Sequence, residues 1–68
     1  MNKYYYCDLD VYGQRTGLVC SLELPENYVH RVNGLIFCVL SLVHSSGFFE
    51  YHTMLYESES DCTRSALA

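Results

Sequence analysis

The sequence predicts a small α+β domain: an antiparallel sheet made of two hairpins, one short helix between them, and room for a short C-terminal helix. Three observations predict it. Residues on either side of "GQRTG" alternate apolar and polar, Leu35–Val43 is apolar on both strand faces, and "LPENYVHRVNG" carries helix start and stop signals. An all-β meander is the alternative, because Asn33-Gly34 also suits a type I′ turn.

The first hairpin joins "KYYYCDLDVY" to "GLVCSLEL". Pairing Tyr12 with Gly17 sets Cys7 opposite Leu22 and Leu9 opposite Cys20. One face then collects Tyr5, Cys7, Leu9, Val11, Leu18, Cys20, Leu22 and Leu24, which period-two alternation assigns to the core. The opposite, outward face collects Tyr4, Tyr6, Asp8, Asp10 and Tyr12, with Val19, Ser21 and Glu23.

In the helix reading, Pro25 and Glu26 occupy the first turn, Tyr28, Val29 and Val32 form an apolar stripe, and Gly34 terminates at C′. The densest apolar block follows, uninterrupted only from Leu35 to Leu40. A membrane-spanning helix needs roughly 20 predominantly apolar residues, so this block reads as a central strand and no membrane association is expected.

A second hairpin turns at "HSSGF". Pairing His44 with Phe48 places Phe37, Val39 and Val43 with Phe49, Tyr51 and Leu55. The other face then carries Ile36, Cys38, Leu40, Leu42 and His44 beside Phe48, Glu50, His52, Met54 and Tyr56. Both faces of the central strand need cover, which points to a second copy of the chain packing over Ile36, Leu40, Leu42, Met54 and Tyr56 as a homodimer. Residues 58–68 read as a flexible or helical tail, with Ser60 or Asp61 as N-cap. Nothing suggests a linker or repeat, so residues 1–68 read as a single small domain.

Composition narrows the function classes. Half of the 68 residues are hydrophobic, 18% are charged and the formal net charge is −4, which argues against disorder. The basic residues Lys3, Arg15, Arg31 and Arg64 are scattered, whereas nucleic-acid binding needs a clustered basic face. Cys7, Cys20, Cys38 and Cys62 form no CxxC pair, and "MNKYYYCDLDVY" lacks the apolar stretch of a signal peptide. Buried thiols in a reducing cytoplasm are the expectation.

No chemistry-bearing constellation has the right spacing. Structural zinc sites present two close ligand pairs, and His30, His44, His52 and the cysteines form none; His44, Glu50 and His52 could meet only as a polar edge. Neither metal nor cofactor is expected. The cysteines fall on core or strand positions or in the tail, without the positioned base a nucleophile needs. Asp8 and Asp10 at i and i+2 read as a solvated strand face, and no glycine-rich phosphate loop is present.

The expected function is therefore non-enzymatic: a small acidic module that occupies a surface of another protein in an accessory or inhibitory role. A phage or mobile-element product directed at a host or defence protein would have this character. Tyr4, Tyr6, Asp8, Asp10 and Tyr12 are the expected contact residues, since tyrosines give large contact area with polar tips and carboxylates between them can meet Arg or Lys. A self-assembling structural protein, or a metal-dependent regulator, is the rival class.

Overall fold

A computed structural model describes residues 1–10, 12–44 and 47–67; for Leu42, Val43, His44 and Phe49 it describes the backbone only. The order is β1 (Asn2–Leu9), β2 (Arg15–Leu24), a single 3-10 turn (Glu26–Tyr28), β3 (His30–Val32), β4 (Leu35–His44), β5 (Gly47–Met54) and α1 (Glu59–Leu67). Antiparallel strands thus form two small sheets, β1-β2 and β3-β4-β5, and the only described α-helix is C-terminal.

The helix expected between the hairpins does not form. Only Tyr28 N–H to Pro25 O and Val29 N–H to Glu26 O close a turn, at 3.0 and 3.1 Å. The chain then extends, because Val29 and Val32 are β-branched and Asn33-Gly34 does not end a helix but makes a hairpin. Their φ angles of 52° and 79° are those of a type I′ turn, and His30–Val32 pairs with Leu35–Phe37. The feature that the all-β alternative required is therefore present, within a fold that also has a helix.

In the first hairpin the register differs from the expected one by three residues. Tyr4 pairs with Leu22, Tyr6 with Cys20 and Cys7 with Val19, after which the pairing jumps to Leu9 opposite Arg15. The turn closes at Asp10–Gln14 rather than around Tyr12–Gly17, which sets Leu9 opposite Arg15, five residues from the expected register; a bulge at Thr16–Leu18 then takes back two. Gly17 takes φ 84°, while the Thr16 hydroxyl donates to Asp8 O (3.4 Å) and accepts from Leu18 N–H (3.2 Å). Asp10 closes the turn itself, its Oδ1 accepting from the N–H groups of Tyr12 and Gln14, both at 2.9 Å.

An odd register shift exchanges faces. Tyr4 and Tyr6 therefore do not face outward; they join Cys20, Leu22 and Leu24. Tyr4 is 1% exposed and forms the core with Cys38 and Leu55, with Tyr6, Leu22, Leu24, Val29, Ile36 and Leu40 packed around it. The two sheets pack through these residues and meet at one edge, where Tyr5 and Tyr56 exchange backbone hydrogen bonds at 2.9 Å. Val11, expected on the core face, lies outside the described residues.

The second hairpin closes with His44 opposite Gly47, one residue from the expected pairing. Ile36, Cys38 and Leu40 consequently share a face with Tyr51 and Thr53, while Phe37 and Val39 share the other with Met54 and His52. Ile36, Leu40, Met54 and Tyr56 do not make one outer face: Ile36 and Leu40 point to the core, Met54 lies on the reverse side, and the Tyr56 hydroxyl meets Ser65 Oγ at 2.6 Å. The Leu42 side chain lies outside the described residues.

Helix α1 covers the hairpin face opposite Tyr4. Its cap is Ser58, earlier than the expected Ser60 or Asp61: Ser58 Oγ accepts from Asp61 N–H at 3.1 Å. Glu59 and Asp61 in the first turn and Arg64 in the last complement the helix dipole. Cys62, Ser65 and Ala66, spaced by three and one, turn toward the hairpin, and Cys62 is fully buried. No described helix is long and apolar enough to cross a membrane.

Candidate functional site

The five residues expected to meet a partner are dispersed. Tyr4 is buried, and its hydroxyl donates to Glu26 Oε2 at 3.2 Å and accepts from Arg31 Nη2 at 3.3 Å. A ring in the core with its polar tip at the rim explains how a tyrosine fills that place. Tyr6 is half-buried; burial, and then the neighbouring Cys20, push its phenol above the ordinary value. Asp8 is half-buried near it, and Asp10 is engaged in the turn. Tyr12 alone of the five is freely exposed.

Around the Tyr4 hydroxyl lies a small polar network. Arg31 Nε donates to Glu26 Oε1 at 2.8 Å, Arg31 Nη1 to Glu57 Oε1 at 3.4 Å, and Asn2 Nδ2 to Glu26 Oε2 at 3.0 Å. The Arg31 hydrogen bond, helped by Tyr4 and Asn2, holds the Glu26 carboxyl below its ordinary range. Every acceptor has its donor and the acid is fully ionised at neutral pH, so this group ties β1, the 3-10 turn and β3 together rather than exchanging protons.

The thiols are equally quiet. Burial pushes the Cys38 thiol up, and burial with the adjacent Cys7 raises Cys62 to about 11, so neither is a ready nucleophile at neutral pH. Among the described residues no group of three His, Cys, Asp or Glu side chains could hold a metal ion. The His44 side chain, part of the polar edge considered with Glu50 and His52, lies outside the described residues.

The conspicuous surface is elsewhere, on the outer face of β3-β4-β5. The register sets Val32 beside Leu35, His30 and Met54 beside Phe37, and His52 beside Val39. Val32, Leu35 and Val39 are 52%, 54% and 43% exposed, and Phe48 on β5 is 60% exposed. At the centre, Phe37 stacks on His30 with ring centroids 5.5 Å apart and meets His52 edge-on at 5.8 Å. The helix packs on β1 and β2, and the hairpin borders this face only at its His52–Met54 margin, where Cys7, Leu9 and Arg15 line a shared cleft.

An aromatic centre with aliphatic neighbours and imidazoles around it is suited to desolvating against another surface. The sequence does carry a signal for it, the two-sided apolar character of Leu35–Val43. Only the correct pairing of β5 shows which residues remain uncovered. No family model, curated protein or solved structure matches the chain.

Proposed function

We propose that the protein is a non-enzymatic binding module that acts by occupying a surface of another protein, in an accessory or inhibitory role. The observation that carries this is the uncovered face of β3-β4-β5, where Val32, Leu35, Val39 and Phe48 are exposed around Phe37. A small domain gains stability by burying such residues, and leaving them in water has a use when a partner covers them. The contact surface is thereby relocated from the tyrosines of the first hairpin to the outer face of the second sheet. Tyr12 and the exposed end of the first hairpin are a separate, smaller surface.

Capture from the native host's lysate tests this with three folded baits: wild type, Leu35→Lys/Val39→Lys, and Asp8→Asn/Asp10→Asn. The expected result is one stoichiometric protein partner, retained by the aspartate variant and lost by the sheet-face variant. Loss with the aspartate variant alone would return the contact to the hairpin. No partner with any bait, together with concentration-dependent light scattering that Leu35→Lys/Val39→Lys abolishes, would favour self-assembly and overturn the reading.

A further inference from the structure

Cys7 and Cys62 are 55 residues apart in sequence, yet their Sγ atoms lie 3.9 Å apart across the contact between β1 and α1. Both are free thiols, Cys7 7% and Cys62 0% exposed. We propose that this pair is a disulfide-forming site, which closes on exposure to a low-molecular-weight disulfide and locks α1 onto the hairpin.

The geometry is permissive. A disulfide needs sulfurs at ~2.05 Å, so the atoms must approach by about 2 Å, within reach of side-chain rotation and a small helix shift. The other two thiols are poorly placed to compete. Cys38 is buried in the core on the opposite side of the hairpin, and Cys20 faces Tyr6 on that same inner side.

The two sulfurs have different access. Cys7 lines a surface cleft of about 160 Å³ with Arg15, His52 and Met54, whereas Cys62 is sealed beneath α1. Cys7 is therefore the point of entry. Its thiolate attacks the low-molecular-weight disulfide RSSR, forming a Cys7–SR mixed disulfide and releasing RS⁻, which takes up the proton that Cys7 lost. When α1 detaches locally, the Cys62 thiol reaches solvent, gives up its proton there and attacks the Cys7 sulfur, forming the Cys7–Cys62 bond and expelling the second RS⁻, which is protonated in turn. The protein dithiol loses two electrons and two protons, and RSSR becomes two RSH.

The consequence is mechanical. In the thiol form, the polar side-chain contacts joining α1 to the rest of the described residues converge on Ser65: Arg15 Nη1 donates to its O (3.0 Å) and Oγ (3.5 Å), and the Tyr56 hydroxyl meets its Oγ at 2.6 Å. A helix of nine residues held this way can detach locally without global unfolding. A bond from Cys62 to β1 removes that option and also restricts the unfolded chain over the 55-residue separation.

The test treats folded wild-type protein with oxidised glutathione, against a control kept in dithiothreitol. Expected are an intrachain linkage mapped by peptide mass spectrometry to Cys7 and Cys62, a Tm about 10–20 °C higher than the control, and slower amide exchange across 59–67. Cys62→Ser should lose both the linkage and the Tm rise, and Cys20→Ser should keep both. Because mapping is done on wild type, a Cys62→Ser chain that fails to fold leaves the test intact. Four thiols remaining free or capped by glutathione, a linkage through Cys20 or Cys38, or a bond that lowers Tm would each overturn the proposal.

Discussion

The first hairpin and the second sheet use similar strands to opposite ends. In β1 both faces are buried, Tyr4 against the second sheet and Cys7 against α1, although the strand contains three tyrosines, a lysine and an aspartate. β4 has the more hydrophobic sequence, yet one of its faces is left uncovered, with Leu35 and Val39 exposed. Hydrophobicity alone therefore does not rank strands by burial. What decides is how many elements are available to cover each face, and here the single helix goes to the hairpin. The unused apolar face is then available for a partner.

The largest expected difference between the regions is at their centres. Tyr4→Ala removes a fully packed ring from a domain whose total stability is of order 3–10 kcal/mol, and should cost about 3–5 kcal/mol. Circular dichroism melts should find that variant largely unfolded near room temperature. A Tyr4→Ala chain that melts within a few degrees of wild type would break the comparison, because the hairpin would then not be the buried region.

Next comes Gly34→Ala in the turn of the second sheet. A Cβ there meets nothing within 4 Å, so the expected loss of about 1–2 kcal/mol is backbone strain at φ 79° alone. Ser58→Ala removes the cap of α1 and should cost about 1 kcal/mol, read by chemical denaturation. Amide exchange in that variant should quicken across α1 before it changes in β4.

Val39→Lys sharpens the contrast most directly. On an uncovered face its effect on stability should stay within about 0.5 kcal/mol, while affinity for the captured partner falls severalfold or more by titration calorimetry. The smallest expected effect concerns acid. Because the folded Glu26 carboxyl is held low by Arg31, its contribution is fully present above its ordinary value of 4.5 and is lost as pH falls through the lowered one. Glu26→Gln should therefore flatten the acid limb of the Tm-against-pH curve and leave the neutral-to-alkaline part unchanged in shape.

Much of this architecture was readable from residue pattern. Two antiparallel hairpins and a central strand apolar on both sides follow from alternation and length, and a C-terminal helix is one of the two forms the tail allows. Strand register did not follow, and it determines every face. Thr16-Gly17 looks like part of a turn, but the turn closes at Asp10–Gln14 and the glycine's positive φ serves a bulge inside β2; together they set the pairing three residues from the expected one, with Tyr4 in the core. A slip of one at His44–Gly47 likewise exchanges the partners of Phe37 and Ile36.

The expected interface depends on both registers, which is why the alternation alone puts Tyr4 at solvent and Met54 with Ile36 and Leu40. The helix reading of Pro25–Gly34 failed for a different reason. Its stripe is too short and too β-branched to outweigh the hydrogen bonds that His30–Val32 makes with β4. None of these choices is made within a window of a few residues. Each depends on the partner strand.

The bridge between Tyr5 and Tyr56 joins residues from near the two ends of the chain, and α1 then closes over the strand that contains Tyr5. During synthesis, each hairpin can form from neighbouring residues as soon as it emerges, since its contacts are local. The join between the sheets must wait for Tyr56, and the cover over Cys7 for Cys62. A nascent chain stopped short of residue 56 would thus hold two hairpins that meet through side chains alone, without the backbone join, an unfinished state exposing strand edges to any neighbour. The last dozen residues act as the clasp of the fold, and truncating them should be felt first at the opposite end of the sequence.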